Sequence, residues 1–268
     1  MDLTLTSPQV LIALLVTLGA GSATMLGALV LLKTKETNPR VLSFGLSFAG
    51  GAMVYISMIE IFWKSEDYFK QVFTSKVAYN YTTLAFFAGI LLIFLMDKIL
   101  PNPHNDLSVP PNSDEAGDIK LKKLGILAAV AITAHNIPEG MATFFATLEN
   151  PKVGLSLSVA IAIHNIPEGI SIVIPIFYAT GSKKKALIAC LISALAEPIG
   201  ALVGFVVLKP FLSPTLFGVV FGLIAGTMVF LSLDELLPIA KKYSRGHDTV
   251  YGMGFGMICI AVSLAIFK

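Results

Sequence analysis

Apolar residues run along this chain in long blocks separated by short polar segments. A block of about 18 or more apolar residues reads as a membrane helix, because about 20 residues at about 1.5 Å rise cross the hydrocarbon core. Eight such blocks occur, approximately Pro8 to Leu32, Val41 to Phe62, Tyr81 to Leu100, Leu124 to Leu148, Val153 to Tyr178, Ala186 to Leu208, Thr215 to Pro238 and Val250 to Phe267. They predict an all-α integral membrane fold of eight transmembrane helices in a single domain, residues 1–268. The first block has Asp2 and no Lys or Arg before it and exceeds a signal-peptide core, so it reads as a retained first span. One long connection, Pro101 to Lys120, is rich in Pro, Asn, Asp and Ser and predicts a mobile cytoplasmic segment, in which His104 reads as a solvated loop side chain.

Two internal similarities organise these spans. Val130 to Gly140 (VAITAHNIPEG) matches Val159 to Gly169 (VAIAIHNIPEG) in spans four and five. Gly51 to Ile61 (GAMVYISMIEI) matches Gly226 to Leu236 (GTMVFLSLDEL) in spans two and seven. A shorter echo, Gly27-Ala28-Leu29-Val30 against Gly200-Ala201-Leu202-Val203, pairs spans one and six, although chance alone explains four apolar residues. In an eight-span topology both members of each pair point opposite ways. Spans six to eight then form an inverted copy of spans one to three around the central pair, an arrangement typical of secondary transporters.

Composition agrees with the bilayer. Of 268 residues, 55% are hydrophobic and 13% charged, with a mean hydropathy of +0.80, whereas a soluble globule carries about a quarter charged residues. A net charge of +2, with no basic cluster interleaved with aromatics, excludes nucleic acid as a primary partner. Cys190 and Cys259 lie in apolar runs, so neither a disulfide framework nor a thiolate zinc site is expected. Cytoplasmic loops collect Lys and Arg. An outside N-terminus places thirteen of the 19 basic residues inside, among them Lys33, Lys35, Arg40, Lys183 to Lys185, Lys241 and Lys242, and predicts that both termini face out.

Ionised side chains at membrane depth cost at least a few kcal/mol and so usually have a pairing or functional reason. His135, Asn136 and Glu139 lie near the middle of span four, and His164, Asn165 and Glu168 near the middle of span five. At about 100° per residue, His135 falls about 40° to one side of Glu139 and Asn136 about 60° to the other, so all three share one face. Each Glu is thereby flanked by an imidazole and an amide, as a carboxylate bridging two cation positions would be. Pro138 and Pro167 remove the N–H bonds to Ala134 and Ile163 and are expected to bend or unwind both helices. Glu197 precedes Pro198 in span six. Two His, two Asn and three Glu make a mixed nitrogen and oxygen site; His with carboxylates suits zinc, and the Asn and Glu oxygens suit harder cations.

Elsewhere the residues leave alternatives open. Glu60 and Glu235, at matched positions, read equally as ion entry and exit ligands or as interfacial charges, while Asp97 and Asp234 sit near span ends. Met53, Ser57, Met228 and Ser232 share that stripe to varying degrees and read as packing. Gly19, Gly21, Ser22, Gly27, Gly45, Gly50 and Gly51 read as close-packing positions.

The paired HNIPEG motifs, Ala196-Glu197-Pro198 and the eight-span layout resemble the ZIP family of divalent metal transporters, nearest its bacterial zinc importers. The resemblance covers nearly the whole chain. It implies metal movement into the cytoplasm through a binuclear site. One position would use Glu139, His164 and Glu168 with His135 nearby and favour zinc; the other would use Asn136, Glu139, Asn165, Glu168 and Glu197 and accept iron or other divalent ions such as manganese. The loop before span four lacks the run of histidines seen in many relatives. The overall reading is a secondary importer in the cell membrane, which is the inner membrane if the cell is Gram-negative. Its partners are divalent cations and the lipid bilayer; no resident cofactor is expected, and a homodimer is compatible. An intramembrane zinc hydrolase lacks a His-Glu-x-x-His motif and gives no reason for the duplication. A cation channel would need weaker ligands.

Overall fold

The computed structural model describes residues 7–29, 39–99 and 114–267. Ten helices follow: α1 (Pro8–Ala28), α2 (Pro39–Ile56), α3 (Phe62–Lys70), α4 (Ser75–Ile99), α5 (Asp114–Glu149), α6 (Pro151–Thr180), α7 (Lys183–Leu208), α8 (Pro214–Leu231), α9 (Leu237–Tyr243) and α10 (Asp248–Phe267). Single turns of π-helix, Ser57–Ile61 and Ser232–Leu236, join α2 to α3 and α8 to α9. Among the described residues no strand occurs. Seven helical segments there are long and apolar enough to cross a membrane: Pro8–Ala28, Ser43–Lys70, Ser75–Leu95, Pro151–Ile174, Lys183–Phe211, Pro214–Tyr243 and Asp248–Ile266. The expected fourth span lies on α5. The chain is an all-α, multi-pass membrane protein.

Local chemistry sets the turns. Asn150 alone separates α5 from α6, and its side chain accepts hydrogen bonds from the amides of Lys152 and Val153 while Pro151 opens the helix. Gly181 ends α6 at φ 64°, a conformation that favours glycine, and Ser182 caps α7. Ser213 followed by Pro214 starts α8 in the same way as Asn150 and Pro151.

Two expected boundaries move. Residues 114–120 of the expected loop lie on α5 and are helical. Residues 101–113, including His104, lie outside the described residues, as do Lys33 and Lys35. The second span continues to Lys70, past its apolar run. Polar Lys64 to Asp67 mark an end in the sequence, yet Ser65 is fully buried and donates to the Gly218 carbonyl at 2.6 Å. Buried Glu66 pairs with Lys70 at 2.8 Å. Pro138, Pro167 and Pro198 all sit within uninterrupted helices, so of the bend or unwinding expected at Pro138 and Pro167 the unwinding does not occur.

Packing divides the helices into two groups and displays the inverted repeat. Helices α1, α5, α6 and α7 pack on one another; α2, α4, α8 and α10, with the short α3 and α9, form the second group. The contact of α2 with α10 recurs as α8 with α4, and that of α1 with α6 recurs as α7 with α5. The two π-turns match residue for residue, and in both a serine hydroxyl donates four residues back, Ser57 to Met53 at 2.6 Å and Ser232 to Met228 at 2.7 Å. Even the short GALV echo is structural: Gly27 packs on Ile166 of α6, and Gly200 packs on Ile137 of α5. Likewise Gly169 abuts the Thr24 carbonyl, and Gly140 abuts that of Glu197. Gly51 is equally tight against Met253, whereas Gly19 has open space and exposed Ser22 only bonds back to Leu18, so these two are not close-packing positions.

A Cβ at Gly140 would overlap the Glu197 backbone, with its Cα at 2.5 Å. Gly140→Ala and Gly169→Ala are expected to push the crossing helices apart and destabilise the protein by about 1–3 kcal/mol each. Thermal unfolding in detergent should show both losses and leave Gly19→Ala unchanged.

Candidate metal centre

Close glycine crossings join α5 to α7 and α6 to α1, within the group whose helices α5, α6 and α7 pack on one another. His135, Asn136 and Glu139 from α5, His164, Asn165 and Glu168 from α6, and Glu197 from α7 are all buried, the most exposed being His135 at 4%. The structure thus gathers all seven sequence-derived residues into the group formed by α1, α5, α6 and α7.

Glu139 lies at the centre of this cluster. Its Oε1 is 2.5 Å from His164 Nε2 and 4.0 Å from His135 Nε2. The His164 Nδ1 faces the Ala160 carbonyl at 3.3 Å. With Nδ1–H donating there, Nε2 and the carboxylate are two lone-pair atoms facing each other, an arrangement that needs a proton or a cation between them. Ligand atoms of Glu139, His164 and Glu168 all lie within 4.8 Å of one another, close enough for one ion to touch all three.

Both asparagines are oriented by their nitrogens. Asn136 Nδ2 donates to the Ser193 carbonyl and to the Ser193 hydroxyl, each at 3.1 Å. Asn165 Nδ2 donates to the Ala20 carbonyl at 3.0 Å and to Glu197 Oε1 at 2.6 Å. With the donors spent, Asn136 Oδ1 and Asn165 Oδ1 accept no hydrogen bond. Neither do Glu139 Oε2, both Glu168 oxygens, Glu197 Oε2 or either His135 nitrogen. A buried polar atom left unpaired costs about 1–3 kcal/mol, and this concentration of lone pairs is a donor set of the kind a divalent cation takes.

The inverted repeat makes the frame symmetric and leaves the chemistry asymmetric. By the offset that pairs Gly27 with Gly200, Ala20 corresponds to Ser193, and each accepts from one of the two asparagines. By the same offset Thr24, a buried neutral residue, stands where Glu197 stands. The sequence reading missed Ser193, Ala20 and Ala160 as orienting groups; Ser193 lies one turn before Glu197 on the same helix face, a spacing that was available. Glu235 reaches the same region: a small cavity of about 10 Å³ is lined by Met53, Ile132, His135, Glu168, Leu231, Glu235 and Leu236. Glu60 occupies the matching π-turn at half burial, and Asp234 is half-buried beside Glu235. The Asp97 side chain lies outside the described residues.

Fold and site define a multi-pass helical membrane protein with a buried His, Asn and Glu cluster at the crossing of its central helices. The ZIP zinc transporter family model matches residues 101–264. The zinc transporter ZupT of Neisseria meningitidis serogroup B is 57% identical over 257 residues, 96% of each chain. That of Xanthomonas axonopodis pv. citri is 53% identical over 267 residues, covering 99% of this chain and 98% of the relative. The ZupT of Chlorobaculum parvum is 45% identical over 266 residues, 97% of this chain and 99% of the relative. The chain belongs to the ZIP family, a family of transporters and not of enzymes.

Proposed function

We propose that this protein is a secondary carrier that imports divalent cations into the cytoplasm, zinc foremost, with iron(II) and manganese(II) as further cargo. In this reading one position is formed by Glu139, His164 and Glu168 with His135 adjoining. The second is formed by Asn136, Asn165 and Glu197 with the same two bridging carboxylates. Supporting it above all is the set of buried lone-pair atoms on α5, α6 and α7 that accept no hydrogen bond. The names of the ZIP relatives, all zinc transporters, support the cargo.

The distribution of Lys and Arg favours both termini outside the cytoplasm. The α5–α6 turn and the end of α3 then face out, and the end of α8 faces in. No resident cofactor is required, and a homodimer is compatible. Purified protein in liposomes should take up zinc saturably without ATP; flux that rises linearly without saturation would identify a channel instead.

Imidazoles and carboxylates must shed protons to bind metal. Zinc affinity is therefore expected to weaken steadily from about pH 7.5 to about pH 5.5, where histidine becomes protonated. Equilibrium titrations across that range check this, and a flat profile would contradict ligation by His164.

A further inference from the structure

Ten residues beyond Glu139, α5 ends at Glu149, whose Oε2 accepts a hydrogen bond from the Tyr68 hydroxyl of α3. Glu149 belongs to the helix group that carries the site, and Tyr68 to the other group. The Tyr68 ring is 3% exposed and stacks on Phe221 at 5.4 Å and 7°, and on Phe217 at 5.1 Å and 24°. Phe217 in turn meets Phe145 of α5 at 5.7 Å, edge to face. An aromatic layer thus crosses from one group to the other between Glu149 and Glu139. Beyond the layer lie two clefts of about 480 and 210 Å³, both lined by Tyr68, Gln71 and Glu149. On the opposite side of the layer, the small cavity lined by Glu235 adjoins His135 and Glu168.

We propose that Tyr68 and Glu149 form a latch that holds this mouth of the protein shut. The proposal rests on the transport reading above, in which the mouth is the outer entrance. Parting the two groups here requires Phe145 to leave Phe217 and the Glu149 carboxylate to leave the Tyr68 hydroxyl, which the stack on Phe217 and Phe221 holds in place on its own group. A hydrogen bond to a carboxylate is stronger than a neutral one, and it secures the ring in a layer that excludes water. Breaking it shifts the population toward the form open at this mouth.

The test uses full-length protein in proteoliposomes, with Cys190→Ala and Cys259→Ala removing the native thiols. Thr143→Cys places a thiol one turn beyond Glu139, beneath the layer. Gln71→Cys places one in the mouth. A membrane-impermeant methanethiosulfonate reagent is added to either face. Tyr68→Phe, which keeps the ring, and Glu149→Ala are each expected to speed modification of Thr143→Cys about tenfold from the mouth side. The double variant should match Glu149→Ala, which already removes the bond along with the attraction of Glu149 for Lys64. Gln71→Cys should label at one rate in every background. Unchanged Thr143→Cys rates in Tyr68→Phe, or rates that multiply in the double variant, would overturn the latch. Tyr68→Phe alone decides the matter if Glu149→Ala fails to fold. The face from which Gln71→Cys labels reports the sidedness separately: labelling from the cytoplasmic face overturns the proposed orientation, while the Thr143→Cys rates still read the latch from that face.

Discussion

Glu139→Ala and Glu168→Ala are each expected to abolish zinc uptake while leaving the protein folded in the membrane. Glu139 contacts His164 at 2.5 Å and shares a 4.8 Å ligand cluster with His164 and Glu168, and in the proposed arrangement each carboxylate serves both cation positions. Loss of an outer-shell partner alone typically lowers metal affinity about 10- to 100-fold, and loss of a bridging ligand should exceed that. Loss of Glu139 also leaves the buried His164 Nε2 without its partner, a cost of about 1–3 kcal/mol in stability. Uptake at matched expression, with thermal unfolding as the control for folding, checks both halves of this expectation. Near-normal uptake by either variant would show that the carboxylate bridges nothing.

A change of selectivity is the second large expected effect. His164 supplies the nitrogen nearest Glu139, held through Nδ1 by the Ala160 carbonyl. His164→Ala leaves a cluster of oxygens and should lower zinc affinity by about 100-fold while lowering manganese and iron(II) less, because imidazole favours zinc over harder ions. Asn165→Asp should act in the other direction on the second position. The change sets a carboxylate oxygen against the Ala20 carbonyl and Glu197 Oε1, two acceptors the amide nitrogen now donates to, and adds a negative charge that a cation relieves, so harder ions should bind more strongly and leave more slowly. Competition uptake with the three metals on both variants checks the pair. Equal proportional losses of all three metals in both would replace the two-position arrangement with one shared site.

The sequence carried much of this architecture because membrane burial leaves strong signals. Long apolar blocks locate the helices, and HNIPEG at two places announces the central pair, with Glu139 and Glu168 on corresponding faces. Three features were illegible for physical reasons. Helix α3 extends the second span with Lys64 to Asp67 because partners on α4 and α8, including Thr82 and Gly218, bury polar atoms that a hydropathy count reads as a boundary. The π-turns at Ser57–Ile61 and Ser232–Leu236 contain neither proline nor glycine, and only the match between the two halves hinted that the segments were alike. Proline at 138 and 167 leaves the helices uninterrupted, with close crossings two residues on at Gly140 and Gly169. The orientation of Asn136 was beyond reach for another reason. It depends on Ser193, fifty-seven residues away along the chain; the spacing to Glu197 marks Ser193 as facing the site but does not pair it with Asn136.

Zinc K-edge X-ray absorption on the purified, zinc-loaded protein tests the metal centre most directly. Nitrogen and oxygen ligands at about 2.0–2.2 Å are expected, with the outer scattering of imidazole and no sulfur, and this signature should vanish in Glu139→Ala. A sulfur shell near 2.3 Å, or an unchanged spectrum in Glu139→Ala, would place the metal elsewhere and contradict the site on α5, α6 and α7.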